Sequence, residues 1–445
     1  MRRSIQGTAI GNFMEWYDFS LYSYTATILA QLFFPQSGGS GGIIATFGTL
    51  TAAFIVRPFG GVVFGPLGDR IGRKKVLMIT IVLMAASTTA TGLLPGYDAI
   101  GVWAPILLMA IRVCQGLSTG GEFAGAMTYV DEQASDRKRG MMAGFLPMGT
   151  LSGYVVGAAF VTGLQIALPA GDMTSWGWRI PFLVGAPLGV AALLMRQRID
   201  ESAGYQESKT DDQPSGAEQF KETVLKRWQS LLLCVCLELT IGLTGYMLTG
   251  YLPTFLKSTV HVPDNPALAI VLVVLVILLC AVVFVAWLSD RIGVKPLMWT
   301  GCGVLIVVAV PAFLLMRSGG GYLVKFLGVL LVGLPYLCFT SIEPRTLPSL
   351  FPTKVRYGAT SIGFNVAVSG FGGPTPLVAE SLVSATGSSL APAFMLIFAG
   401  AVGAVTLFFT PEVAGRRMPG AGPSADDREE ARRLAGERRD SRPAP

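Results

Sequence analysis

The chain has 445 residues, a net charge of +6, and 51% apolar against 14% charged residues, with a mean hydropathy of +0.56. A soluble domain carries roughly 25% charged residues, and here the apolar residues fall in runs of about 20, the length that crosses a bilayer as helix, which excludes a soluble enzyme or regulator. The alternation of a membrane barrel is absent, and the positive charge sits in loops between apolar runs without the exposed aromatics of a nucleic-acid surface.

The first apolar run follows Arg2 and Arg3 and carries Glu15 and Asp18. A signal segment would be shorter and uncharged, so this run is read as a retained helix. About twelve spans are expected, centred near Ser20, Phe54, Met84, Gln115, Tyr154, Pro187, Gly242, Ile277, Val307, Gly333, Ser369 and Gly400. Lipid offers the backbone no partner, so each must be helical. The expected fold is an all-α polytopic membrane protein, twelve transmembrane helices in two pseudo-symmetric six-helix bundles over residues 1–197 and 229–411. A linker over 198–228 joins them and a polar tail fills 412–445.

Loop charge predicts orientation. Arg70, Arg73, Lys74 and Lys75, then Arg137, Lys138 and Arg139, then Lys209, Lys221, Lys226 and Arg227, then Arg291 and Lys295, then Lys354 and Arg356 occupy one set of loops. The alternate set is nearly bare, with only Asp98 in residues 95–101. The positive-inside rule then places both termini in the cytosol, in the plasma membrane. The two halves echo each other. Gly68-Asp69-Arg70-Ile71-Gly72 follows the second span, and Ser289-Asp290-Arg291-Ile292-Gly293 follows the eighth. Halves duplicated about an axis along the membrane normal are a transporter plan. Asp69, Arg70, Arg73, Asp290 and Arg291 are the candidate gating charges, able to lock one half against the other and to part when the halves rock.

Charges inside spans are costly, at least about 2.5 kcal/mol each at mid-membrane, and usually face one another or a water-filled cavity. Glu15 and Asp18, three apart, share a helix face. Arg57 lies in the second span, Arg112 and Glu122 in the fourth, and Glu238 in the seventh. Asp18, Glu15 and Glu122 are the candidate proton carriers, since the only histidine, His261, falls in a loop. Burial raises a carboxylate pKa and a nearby arginine lowers it, so an acid can switch as its partner moves. Arg112, Arg57, Trp16, Tyr246 and Glu238 are the candidate substrate residues. The balance of acids and bases suits a zwitterion, and aromatic faces suit a quaternary ammonium. Glu343 and Glu380 are placed near helix ends, at the membrane interface. The eleventh span, with Asn365, Gly370, Gly372, Gly373, Pro374 and Pro376, is expected to bend or to make close contacts. All six cysteines lie in apolar runs and are read as free thiols. No nucleotide-binding loop, metal cluster or catalytic triad is evident, so no enzyme activity and no cofactor are expected. The partners are a small-molecule substrate, the proton and the lipid bilayer, not nucleic acid.

The duplicated loop beginning Gly65-Pro66-Leu67-Gly68-Asp69-Arg70 resembles the signature of the major facilitator superfamily. Gly11-Asn12-Phe13-Met14-Glu15-Trp16-Tyr17-Asp18, Arg57-Pro58-Phe59-Gly60-Gly61, Gln115-Gly116 through Gly120-Gly121-Glu122, and Trp176-Gly177-Trp178-Arg179-Ile180-Pro181 look like its metabolite–proton symporters. Arg227-Trp228-Gln229-Ser230-Leu231-Leu232 and Tyr246 through Pro253 are similar to the osmoregulatory proline/glycine-betaine members. The resemblance implies proton-coupled import of a small zwitterionic osmolyte by alternating access. Its same-fold rival is symport of an organic acid such as α-ketoglutarate, citrate or shikimate. Drug export by proton antiport fits the first helix poorly, and a sensor would need a signalling domain. Glu238 departs from this pattern, which would have an apolar residue there, and the tail lacks a long coiled coil.

Overall fold

A computed structural model describes residues 2–71, 73–120, 122–134, 138–197, 226–353, 355–416 and 418–419. The expected linker therefore lies almost wholly outside the described residues, as do the tail beyond Pro419 and the side chains of Asp69, Arg70, Arg73 and Glu122.

The described helices join into twelve long segments. In the first half these are Arg2–Tyr24 with Ala26–Phe33, Gly39–Ile71, Arg73–Leu93, Trp103–Thr119 with Glu122–Gln133, Arg139–Ala143 with Phe145–Ala167, and Ala170–Asp172 through Gly185–Gln197. In the second they are Trp228–Tyr246 through Leu252–Ser258, Asp264–Ile292, Val294–Arg317, Tyr322–Ser349, Arg356–Ala367 through Thr375–Thr386, and Ala391–Phe409. Eight are long and apolar enough to cross a membrane by length and composition. The first, fourth and eleventh are not among the eight; they carry polar residues and glycines that the site below uses. The third contributes a shorter apolar stretch, Met78–Leu93.

Several spans are interrupted. The first span divides at Thr25, yet its ladder runs on: the Thr25 N–H donates to the Leu21 carbonyl at 3.0 Å, and the hydroxyl adds a bond to the same oxygen at 2.7 Å. The fourth is described as Trp103–Thr119 and Glu122–Gln133, with a turn at Gly120 after the first stretch. Single π-helical turns interrupt the sixth, seventh and eleventh spans at Met173–Gly177, Met247–Tyr251 and Val368–Gly372. Such turns are rare and often mark functional positions.

Small residues set the closest packing. A Cβ on Gly116 would overlap the Ala53 carbonyl, and one on Gly60 that of Leu117. The second and fourth spans thus touch backbone to backbone, in the manner of small-residue contacts between membrane helices. One buried apolar cluster runs through both halves. The cysteines are all free.

Candidate substrate and coupling site

The two acids of the first span leave one helix face toward two different neighbours. Glu15 pairs with Arg57 of the second span, and Asp18 Oδ2 accepts from Arg112 Nη1 of the fourth at 2.8 Å. All four are at most 7% exposed. Burying an ion pair is costly unless further hydrogen bonds complete it, and here they complete it only in part. Arg57 Nη2 also reaches the Thr119 carbonyl at 3.4 Å. Arg112 Nη1 donates to Gln115 Oε1 at 2.5 Å, and Gln115 Nε2 in turn to Thr88 Oγ1 at 3.3 Å. The Arg112 guanidinium sits 4.1 Å from the centre of the Tyr22 ring, and that of Arg57 5.4 Å from Phe54. The two pairs line one cavity of about 400 Å3 with Trp16, Phe19, Phe54 and Gln115. Arg112 Nε and Nη2, Arg57 Nε and Asp18 Oδ1 are buried without a hydrogen-bond partner among the described residues.

An aromatic layer closes this cavity toward the second half. Tyr246 of the seventh span meets Phe19 at 5.1 Å, Phe54 at 5.2 Å and Trp16 at 6.0 Å between ring centres. Trp16 is fixed by its indole N–H, which donates to Asn12 Oδ1 at 2.7 Å, while Asn12 Nδ2 holds Thr150 Oγ1 at 2.9 Å on the fifth span. A second cavity of about 380 Å3 lies on the far side of Trp16 and Tyr246 and contains Glu238 and Glu343. This corrects the placement of Glu343 at the interface: it is 5% exposed in the core of the second half. Glu380 is likewise buried, accepting from the Tyr251 hydroxyl at 3.2 Å. Both acids follow helices that run further than the apolar runs that marked them.

The face carrying the basic loops holds a charge lock between the halves. Asp290, at the end of the eighth span, accepts from the backbone N–H groups of Gly140 at 2.8 Å and Met141 at 2.9 Å, where the fifth span begins. Those N–H groups have no intrahelical partner and sit at the positive end of the helix dipole. A Cβ on Gly140 would meet Asp290 Oδ1 at 2.7 Å, so the close approach depends on the glycine. Arg345 of the tenth span adds a bond to Asp290 at 2.6 Å, and Arg356 pairs with Glu132 across the halves at 2.7 Å. Arg291 stands apart from this lock, exposed, with its guanidinium 4.1 Å from the Trp287 ring of its own helix.

Residues 411–419 are not a free tail. Glu412 receives the backbone N–H groups of Val294 and Lys295 at 3.0 and 2.9 Å. The Arg416 carbonyl accepts from Arg139, and that of Pro419 from Arg356. Sequence reasoning missed Glu343, Arg345, Gln115 and the docking role of Glu412. The first two carried a usable signal, two charges two residues apart at the end of the tenth apolar run.

Two six-helix halves enclosing buried ion pairs and locked by charge at one face define a multi-pass membrane transporter, not an enzyme. Residues 8–376 match the model of the Major Facilitator Superfamily, and the chain belongs to that family. It is 37% identical over 449 residues to the proline/betaine transporter of Escherichia coli (strain K12), across 99% of this chain and 89% of that one. It is also 37% identical, over the same shares, to the glycine betaine/proline/ectoine/pipecolic acid transporter OusA of Dickeya dadantii. Among solved structures, the proton:xylose symporter XylE superposes with a TM-score of 0.73 at 18% identity, covering 93% of this chain and 96% of the other, a likeness of fold alone.

Proposed function

We propose that this transporter imports a small zwitterionic osmolyte of the proline/glycine-betaine type together with protons, by alternating access. It sits in the plasma membrane with both termini, and the charge lock, on the cytosolic side. The observation that carries this reading is the pair of arginine–carboxylate contacts from one face of the first span, lining one cavity beneath an aromatic layer that Tyr246 of the other half completes. Arg112, with two uncommitted N–H groups, is suited to the cargo's carboxylate. Binding there competes with Asp18 for the same guanidinium, so cargo and carboxylate exchange places on Arg112. The names of the relatives support the cargo class, and the balanced charge of the cavity favours a zwitterion over a dicarboxylate.

Reconstituted in proteoliposomes with a pH gradient, the wild type is expected to accumulate labelled glycine betaine or proline. Unlabelled α-ketoglutarate in excess is expected to compete weakly. Asp18→Asn is expected to abolish accumulation while leaving exchange of labelled for unlabelled cargo. Accumulation undiminished in Asp18→Asn with Glu15→Gln removes the coupling assignment, and inhibition by dicarboxylates alone removes the cargo class.

A further inference from the structure

Glu238 of the seventh span and Glu343 of the tenth are 3% and 5% exposed and line the same cavity of about 380 Å3. They are within electrostatic reach of one another, and so is Arg57, but that arginine is already paired with Glu15. Glu238 Oε2 has no hydrogen-bond partner among the described residues. Two carboxylates are thus held away from water in one cavity, and the cation nearest Glu238 is already taken by another acid. A buried carboxylate in that position either keeps a proton or needs a partner of opposite sign.

The walls narrow what that partner is. Trp16, Tyr154, Tyr246 and Tyr336 line the same space, with Trp16 5.5 Å from Tyr154 and 6.0 Å from Tyr246 between ring centres. Aromatic faces attract alkylammonium groups through the ring quadrupole. Calcium and magnesium instead need about six or more oxygen ligands. Among the described residues no group of three or more His, Cys, Asp or Glu is placed to hold a metal.

We propose that Glu238 and Glu343, walled by these aromatic rings, form a subsite for an organic ammonium group, so that this chain binds alkylammonium cations even when they carry no carboxylate. The link to transport rests on the proposed import of a zwitterion, whose ammonium end this subsite would take once the layer of Trp16 and Tyr246 between the two cavities has parted. The binding itself does not depend on that reading.

Purified full-length protein is titrated calorimetrically with choline chloride, with glycine betaine and with sodium propionate. The wild type is expected to bind choline and betaine. Glu238→Gln and Glu343→Gln are each expected to weaken choline binding about tenfold or more, while Glu238→Asp retains much of it. Absence of choline binding to the wild type at millimolar concentration overturns the subsite without recourse to any variant. So does choline binding unchanged in Glu238→Gln, or a heat of sodium binding that Glu238→Gln abolishes while choline is unaffected. If betaine and proline uptake fails but choline binding follows Glu238, the import reading falls and the subsite stands. If uptake proceeds in a protein indifferent to choline, the subsite falls and the import reading stands.

Discussion

Arg112 and Asp18 show what a buried charge does to a membrane helix. At 1% and 4% exposure neither has water to fall back on, and removing one partner of such a pair costs about 3–5 kcal/mol because the other is left uncompensated. Arg112→Gln should therefore lower the thermal unfolding midpoint in detergent and abolish uptake. Asp18→Asn with Arg112→Gln should recover most of the stability, since no lone charge remains, yet stay inactive. A double variant that transports would reduce the pair to a structural pin. These residues were legible in the sequence because a charge inside an apolar run is its own signal. Glu343 and Arg345 stand in Ile342-Glu343-Pro344-Arg345 at the end of the tenth apolar run, where the sequence places Glu343 near a helix end. The tenth span instead continues through Pro344 and Pro348 to Ser349, carrying both charges into the interior.

At the scale of elements, the docked segment 411–419 depends on one carboxylate. Glu412 bridges the start of the ninth span and its own following turn, accepting from Val294, Lys295 and Ala414. Burial acts to raise its pKa, but these backbone N–H donors outweigh that and hold it below the ordinary value of 4.5. A folded-state value lower than the unfolded one stabilises the docked form above about 4.5, and that contribution is lost as pH falls through the lowered value. The Val294 and Lys295 amides should stay protected from hydrogen exchange, corrected for intrinsic rates, at neutral pH and lose protection in acid. Glu412→Gln should remove that dependence and leave them less protected throughout; protection indifferent to both pH and substitution would show that the carboxylate does not hold the segment. The sequence marked this stretch only as polar and rich in proline and glycine, because a cap made across the chain leaves no local periodicity. The twelve spans and the duplicated loop were legible because length and charge are local properties. The division at Thr25, the turn at Gly120 and the three π-helical turns were not, since neighbouring spans decide which local bonds prevail.

For the whole molecule, the balance between states is set where the halves meet. Asp290 gathers three charge-assisted hydrogen bonds, two from the start of the fifth span and one from Arg345. Each bond to a charged group is worth about 1.5–3 kcal/mol, and Asp290→Asn keeps an acceptor while losing the charge. Losing the equivalent of one such bond shifts the ratio of closed to open forms by about tenfold to a hundredfold, since about 1.4 kcal/mol is a factor of ten. The opposite face lacks this carboxylate, so the shift is one-sided and favours opening toward the basic loops. Spin labels at Lys138→Cys and Ile292→Cys, with the six native cysteines replaced, would flank the lock from the two halves. Pulsed dipolar distances in the wild type should be dominated by one short population. Asp290→Asn should transfer weight to a longer one, and Gly140→Leu should do the same by steric means because its side chain would overlap the Asp290 carboxylate. If both variants keep the short distance, the lock is held by packing of the fifth span on the eighth, and the charge is incidental to which way the transporter faces.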